Sequence, residues 1–306
     1  MNEINDAIDA HAHIQPDMWP LERMIHAMDV HGIEKVAICG RPSEAFYMNS
    51  PFKKMAAGLN RVALNFLGPV GKMLYNSTVD KEGNFTMLGI EKYKIFSQFD
   101  NKEVAEVIKK YPDRFYGLIS VNPIGPSDPM QEIEEYVSIP QMIGIKIHPF
   151  WHQCPIKNYE EVAQWCEKNK YPIEVHLGVG EIGDYRYLPE RFPNLKIIYL
   201  HAGVPFFREL WSYAKSKPNI FFDLSSPYID DTIIREAISF LGADKCLYGT
   251  DSPYGYNGSG EDYDYGLIKG WIENMPLFYD GKEKIISDKD KEKILRNNFE
   301  RLIKRS

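Results

Sequence analysis

The stretch AIDAHAHI, residues 7–14, sets the pattern on which the rest of the chain is built. A short apolar run ends in two histidines with one alanine between them. In a strand, residues i and i+2 point to the same side. His11 and His13 therefore project together, about 7 Å apart on a rise of ~3.3 Å per residue. At that spacing two imidazoles can converge on one metal ion, although a lone HxH is more often incidental.

The device recurs downstream. PIEVH ends in His176, LKIIYLH in His201 and KCLYGTD in Asp251, and a Gly- or Pro-containing turn follows each at once. Taken singly, a strand-end histidine is usually a satisfied core or surface residue, and an aspartate there is a turn former or helix cap. Four such endings, on the first, fifth, sixth and eighth of the strands counted below, point instead to one shared site.

Eight strands are predicted: AIDAH, KVAICG, FYGLISVN, IGIKIH, PIEVH, LKIIYLH, NIFFDLS and KCLYGTD. Between them, apolar residues at three-to-four spacing predict helices over Leu21–His31, Asn101–Tyr111, Pro129–Val137, Tyr159–Asn169, Phe206–Lys215 and Asp231–Leu241. Strand and helix in alternation mean parallel strands joined by crossover helices. Eight units close into an α/β fold, the (β/α)8 TIM barrel, which takes ~250 residues before insertions. An open doubly wound sheet is the alternative. About sixty residues separate Arg41 from the helix at Asn101, far beyond the usual ~2–6 of such a connection. We expect one domain over 1–306, with an insertion after strand 2, residues 41–92, that is partly helical and lids the barrel mouth. ISDKDKEKILRNNFERLI reads as a closing amphipathic helix, with Ser287 as N-cap and Leu295, Phe299, Leu302 and Ile303 as its buried stripe.

Composition narrows the function. A formal charge of −7 argues against a polyanion-binding surface, so no nucleic-acid partner is expected. No apolar run approaches the ~20 residues of a membrane span, and no leader pattern precedes the first strand; the expectation is a cytoplasmic protein. Cys39, Cys154, Cys166 and Cys246 are scattered, without a CxxC, and read as reduced thiols. No phosphate-binding G-x-x-x-x-G-K-[ST] and no G-x-G-x-x-G after the first strand is present.

IDAHAHI, GIKIHP, IEVHLG, YLHAG, LYGTDSP and ILRNNFERLI, in this order from Ile8 to Ile303, resemble the amidohydrolase superfamily, and within it the amidohydrolase-related (type 2) metal-dependent hydrolases. The resemblance implies a divalent ion at the barrel mouth, with His11, His13 and His176 as nitrogen ligands and Asp251 as oxygen ligand. Such a set suits Zn2+, with Mn2+ or Fe2+ as other candidates. It implies water activation at the ion, with Asp251 orienting the water and taking its proton, and His201 polarising the substrate carbonyl or shuttling a proton. Two-metal relatives carboxylate a lysine at the place of Lys146, and His176 and His201 would then hold the second ion. The other reading of Lys146 is a buried lysine paired with Glu174. One ion is the favoured arrangement.

For substrate contacts the candidates are His148, Trp151 and His152 after strand four, Arg41 after strand two, Arg186 after strand five, and Tyr254 and Tyr256 after Asp251. An arginine at the mouth could clamp a carboxylate. Cys154 lies nearby without any triad partner. The reading is a hydrolase of an amide, lactone or ester-type bond in a small molecule. The alternative is a non-oxidative decarboxylase of an aromatic or dienoic acid, resembling aminocarboxymuconate-semialdehyde decarboxylase; the KxHP of strand four favours the hydrolase. A third reading, a non-enzymatic metal-binding barrel, is opposed by the position of the site at a barrel mouth. The family resemblance also suggests a homodimer.

Overall fold

The computed structural model describes residues 6–48, 50–87, 91–255, 259–260, 263–274, 276–279 and 282–305. Eight strands, β1 (Ala7–His13), β2 (Ile33–Cys39), β3 (Phe115–Val121), β4 (Met142–Ile147), β5 (Ile173–Val175), β6 (Ile197–Tyr199), β7 (Ile220–Asp223) and β8 (Cys246–Leu247), pair in chain order. Every pairing is parallel. Beyond β8 the chain returns to β1: Ala10 N–H donates to the Tyr248 carbonyl (2.9 Å), Asp251 N–H to that of His11 (2.8 Å) and His13 N–H to that of Ser252 (2.7 Å). These bonds bring the last strand against the first and make the sheet a nearly closed barrel, the (β/α)8 architecture.

The helices lie where the apolar spacing places them: Leu21–Val30, Asn101–Lys110, Pro129–Tyr136, Glu160–Asn169, Arg208–Ala214 and Asp231–Leu241. Three start on an aspartate whose carboxylate accepts first-turn N–H groups, Asp100 from Glu103, Asp128 from Met130 and Gln131, and Asp230 from Thr232 and Ile233. The closing segment is helical from Asp288 to Ile303, but its middle turn, Lys293–Asn297, widens to a π-helix. Ser287 caps it through the Asp290 N–H. Phe299 and Leu302 join an apolar cluster to which seven of the eight strands contribute, including Ile8, Leu118, Ile198 and Leu247, so this helix is docked on the barrel.

Between β2 and the helix Asn101–Lys110 lie two helices, Pro51–Phe66 and Pro69–Asn76, and an antiparallel hairpin, Asn84–Met87 with Glu91–Lys94. Four cysteines are buried and free. Among the described residues no helix is long and apolar enough to cross a membrane.

Candidate metal centre

The strand ends deliver their side chains to one place. His11 and His13 close β1, His148 and His176 follow β4 and β5 directly, His201 follows β6, and Asp251 lies in the turn after β8; all are buried. His11 Nε2 and His13 Nε2 stand 3.4 and 3.3 Å from Asp251 Oδ1. His201 shares a donor cluster with His11 and Asp251, all ligand atoms lying within 4.8 Å of one another. His176 is reached through His201, its Nδ1 lying 3.3 Å from His201 Nε2.

Two of these residues sit on left-handed backbone, His201 at φ 51° and Asp251 at φ 58°. That conformation costs an L-residue roughly 1–2 kcal/mol, and strain of this kind collects at functional sites. Gly249, two residues before Asp251, is needed for close approach: a Cβ there would come within 1.8 Å of Asp223 Oδ2.

The outward nitrogen of each imidazole has an oxygen partner, which assigns the tautomers. His13 Nδ1 faces the Gly40 carbonyl at 3.0 Å, and a carbonyl can only accept, so the proton is on Nδ1. Tyr75 donates its hydroxyl proton to the Leu177 carbonyl (2.8 Å), so its oxygen accepts from His176 Nε2–H at 2.8 Å. Ser225 Oγ donates to Asp223 Oδ1 and accepts from His201 Nδ1–H at 2.9 Å, with His11 Nδ1 at 3.4 Å. The inward nitrogens, Nε2 of His11, His13 and His201 and Nδ1 of His176, therefore carry lone pairs.

The inward lone pairs crowd the Asp251 carboxylate, with Oδ1 3.3 Å from His13 Nε2 and 3.4 Å from His11 Nε2, and such donors repel unless a cation lies among them. Burial holds the pKa values of His11, His176 and His201 well below the ordinary histidine value, which disfavours a proton as that cation. A divalent ion suits the donor set, since donor atoms ~2.0–2.2 Å from a tetrahedral zinc are themselves about 3.3 Å apart, the spacing at which His11 Nε2 and His13 Nε2 each stand from Asp251 Oδ1. Outer N–H groups committed to carbonyl or carboxylate-linked oxygens are also the usual support of metal-binding histidines. The residues present fit a metal.

Lys146 lies almost wholly buried, and its Nζ donates to His11 Nε2 at 2.8 Å. Its neighbour across the β4–β5 register is Glu174, but neither Glu174 oxygen has a hydrogen-bond partner among the described residues. The lysine thus serves the histidine cluster, and no direct Lys146–Glu174 bond forms. Burial raises the Glu174 pKa well above the usual carboxylate range, with Lys146 opposing.

A cleft of about 1100 Å³, its open mouth included, lies over this cluster. His13, His148, His176 and Asp251 line its floor, and Phe46, Phe85, Trp151, Tyr228 and Tyr254 its walls. His148 stacks on His176 at 4.1 Å and receives the Trp151 N–H on Nδ1 (3.0 Å). Tyr254 stacks on Phe46 at 5.0 Å, and its hydroxyl donates to Gln15. His152 packs on Phe99 at 4.9 Å outside the cleft lining. Cys154 is buried, also off the cleft.

The two arginines singled out from sequence are not brought to the cleft. Arg41 forms a two-point pair with Glu103 (2.9 and 3.3 Å), and Arg186 is exposed over the rings of Tyr185 and Tyr213. The arginine that lines the cleft is Arg61, from helix Pro51–Phe66, beside Asp230 at 3.5 Å. Tyr256 falls outside the described residues. Sequence reasoning missed Arg61, Tyr75, Tyr228, Asp223 and Ser225. For the last pair a signal existed: Asp223 and Ser225 repeat the i, i+2 arrangement of His11 and His13 at the end of another strand.

A barrel whose strand ends converge imidazoles and a carboxylate defines the amidohydrolase class of enzyme. The sequence model described as Amidohydrolase, of the type 2 branch, matches residues 8–305, and the chain belongs to that family, which is metal-dependent. A dihydroxybenzoic acid decarboxylase from a Polaromonas species, solved with bound manganese and an inhibitor, superposes with a TM-score of 0.54 at 16% identity over 98% of this chain and 97% of that one. A probable 2-pyrone-4,6-dicarboxylic acid hydrolase from Acinetobacter baumannii, solved with citric acid, gives 0.56 at 16% identity over 97% and 99%. Among curated proteins, Protein fluG of Emericella nidulans is 24% identical over 113 residues, 32% of this chain and only 13% of that one. At these identities the solved structures speak for the fold; both decarboxylases and a hydrolase are among the neighbours.

Proposed function

We propose that the chain is a metal-dependent hydrolase acting on an amide, lactone or ester-type bond of a small molecule. The observation that carries this is the set of inward, unprotonated imidazole nitrogens around Asp251 at the floor of an aromatic-walled cleft. His11, His13, His176 and Asp251 are assigned as ligands of a single Zn2+, with Mn2+ or Fe2+ able to serve. Bound there, the ion would supply Lewis acidity and lower the pKa of water from 15.7 to about 7.

The chain's own groups do the rest. Asp251, with Oδ1 against both histidines of β1, takes the proton of the attacking water and returns it to the leaving group. His201, held through Nδ1 by Ser225, offers Nε2 to hold or move a proton at the substrate. Lys146 Nζ, which holds the His11 Nε2 lone pair at 2.8 Å, would yield it on metal binding and turn its N–H groups to oxyanion charge developing beside His11. The aromatic walls exclude water and orient a flat substrate, and Arg61 is placed to meet a carboxylate on it. The inserted segment, which contributes Phe46, Arg61, Leu64, Tyr75 and Phe85 to the lining, acts as the lid.

The aromatic walls also favour a second reading, decarboxylation of an aromatic or dienoic acid by the same centre. Metal-loaded protein offered lactones, amides, esters and aromatic acids separates the two. Proton release in a pH-stat from lactones or esters, or liberated amine from amides, without gas evolution supports hydrolysis. Carbon dioxide release without hydrolysis transfers the assignment to the decarboxylase. A second tightly bound metal equivalent with a carbamate on Lys146 would replace the one-ion arrangement.

A further inference from the structure

Thirteen large apolar side chains stand exposed among the described residues, and ten of them fall between Tyr47 and Leu74. Helix Pro51–Phe66 carries five: Phe52, Met55, Leu59, Val62 and Phe66. Their spacing alternates three and four, the a/d seam by which one helix packs along another. The opposite face of the same helix is already used, with Ala56, Ala63 and Leu64 buried against the chain's own body. Leu67, Val70, Met73 and Leu74 extend the uncovered face across the turn into helix Pro69–Asn76.

The extent of this face identifies what it needs. The nine side chains from Phe52 to Leu74 present on the order of 900 Å², against ~300–600 Å² for the largest apolar patch of a typical monomer. A stable interface of standard size takes about 800 Å² from each partner.

Charge decides between occupants. No Asp or Glu occurs from Ala45 to Val79. Of the four cations there, three face acids of their own chain: Lys53 with Glu91 (2.6 Å), Arg61 with Asp230 (3.5 Å) and Lys72 with Glu209 (2.7 Å). The face is thus close to neutral on a chain of net charge −7. An anionic bilayer would find little there to attract it, since surface-lying helices depend on uncommitted Lys and Arg. A second copy would meet an apolar, near-neutral stripe of the same spacing as its own.

We propose that this face seats a second copy of the chain, helix Pro51–Phe66 packing on its own counterpart across a two-fold axis. Such an interface is isologous, so the middle of the stripe, Leu59, lies near the axis and faces itself. Because Arg61 and Leu64 of that helix line the cleft and Tyr75 of the next contacts His176, pairing also holds the cleft wall in place.

Sedimentation and light scattering on the metal-loaded full chain test this. Wild type is expected at twice the 35.4 kDa chain mass. Leu59→Glu, which sets two like charges opposite each other, is expected as a folded monomer, with self-association weakened at least about 30-fold, as for a hot-spot residue. Ile124→Glu, at an exposed apolar residue elsewhere, is expected to remain dimeric. If Leu59→Glu does not give folded protein, Met55→Ser with Phe66→Ser carries the same test. Three results would each overturn the proposal: a wild type that stays monomeric at tens of micromolar, a dimer that survives these stripe substitutions, or a monomer that co-sediments with anionic phospholipid vesicles.

Discussion

The barrel rim and the inserted segment both reach the histidine cluster, but by different physical routes. The rim works by repetition: a strand ends, its last inward residue is a ligand type, and a turn follows. The insertion works by reach: Tyr75, 101 residues before His176, brings one hydroxyl between His176 Nε2 and the Leu177 carbonyl. The rim therefore determines which atoms converge, and the insertion determines how one of them is held. Substitutions on the two sides are expected to differ in kind.

The largest effect is expected on the rim. Asp251→Asn keeps the shape of the site but removes the proton acceptor, and turnover should fall by ~10²–10⁴-fold, the usual worth of a positioned general base. Retention of activity within tenfold in a steady-state assay would remove Asp251 from that role.

Next comes the insertion. Tyr75→Phe keeps the ring stacked on Phe150 at 4.1 Å and deletes only the hydroxyl. Loss of such a support typically weakens metal affinity 10–100-fold. Chelator competition should show this with the circular dichroism spectrum unchanged; equal affinity would mean that the rim alone fixes His176.

A third substitution marks where the rim stops mattering. His152 is half-buried against Phe99, and burial of its ring nitrogens depresses its pKa to about 4. The unfolded chain takes up this proton near pH 6.5, before the folded chain can. Its effect is thus absent above pH 6.5, and stability is lost as the pH falls from 6.5 towards 4. By linkage the loss is about 3 kcal/mol at most. Urea unfolding of His152→Phe beside wild type should show a gap that widens over that interval. A gap independent of pH would place the proton elsewhere.

The smallest effect is expected at Arg41. Its half-exposed pair with Glu103 is of a type that contributes ~0–1 kcal/mol. Arg41→Ala should leave KM for a carboxylate substrate within about twofold, whereas Arg61→Ala should raise it at least tenfold, the scale of a charge-assisted hydrogen bond.

The same contrast explains what could be read in the sequence. All eight strands and six of the helices were legible because the strands, buried on both faces, read as short apolar runs whose ends mark position, while each helix turns one apolar face to the barrel. His11, His13, His176, His201 and Asp251 were legible for the same reason. Asp223 and Ser225 in NIFFDLS carry the same i, i+2 signal, but no second ligand type stands beside the aspartate; they act by orienting His11 and His201. Arg61 and Tyr75 lie on helices apolar on two sides, where periodicity no longer separates inside from outside. Arg41 occupies a rim loop, but the residue that claims it, Glu103, is 62 positions away and unreadable from spacing. The π-turn at Lys293–Asn297 left no mark, because its apolar stripe is still compatible with an α-helix.

The most direct test is elemental analysis of the purified protein beside its His176→Ala variant, both loaded with zinc, manganese or iron and then freed of loosely bound ions. One equivalent of divalent metal per wild-type chain, and little in the variant, is the expected result. Full retention by the variant, or a wild type that holds none of the three, would contradict the account.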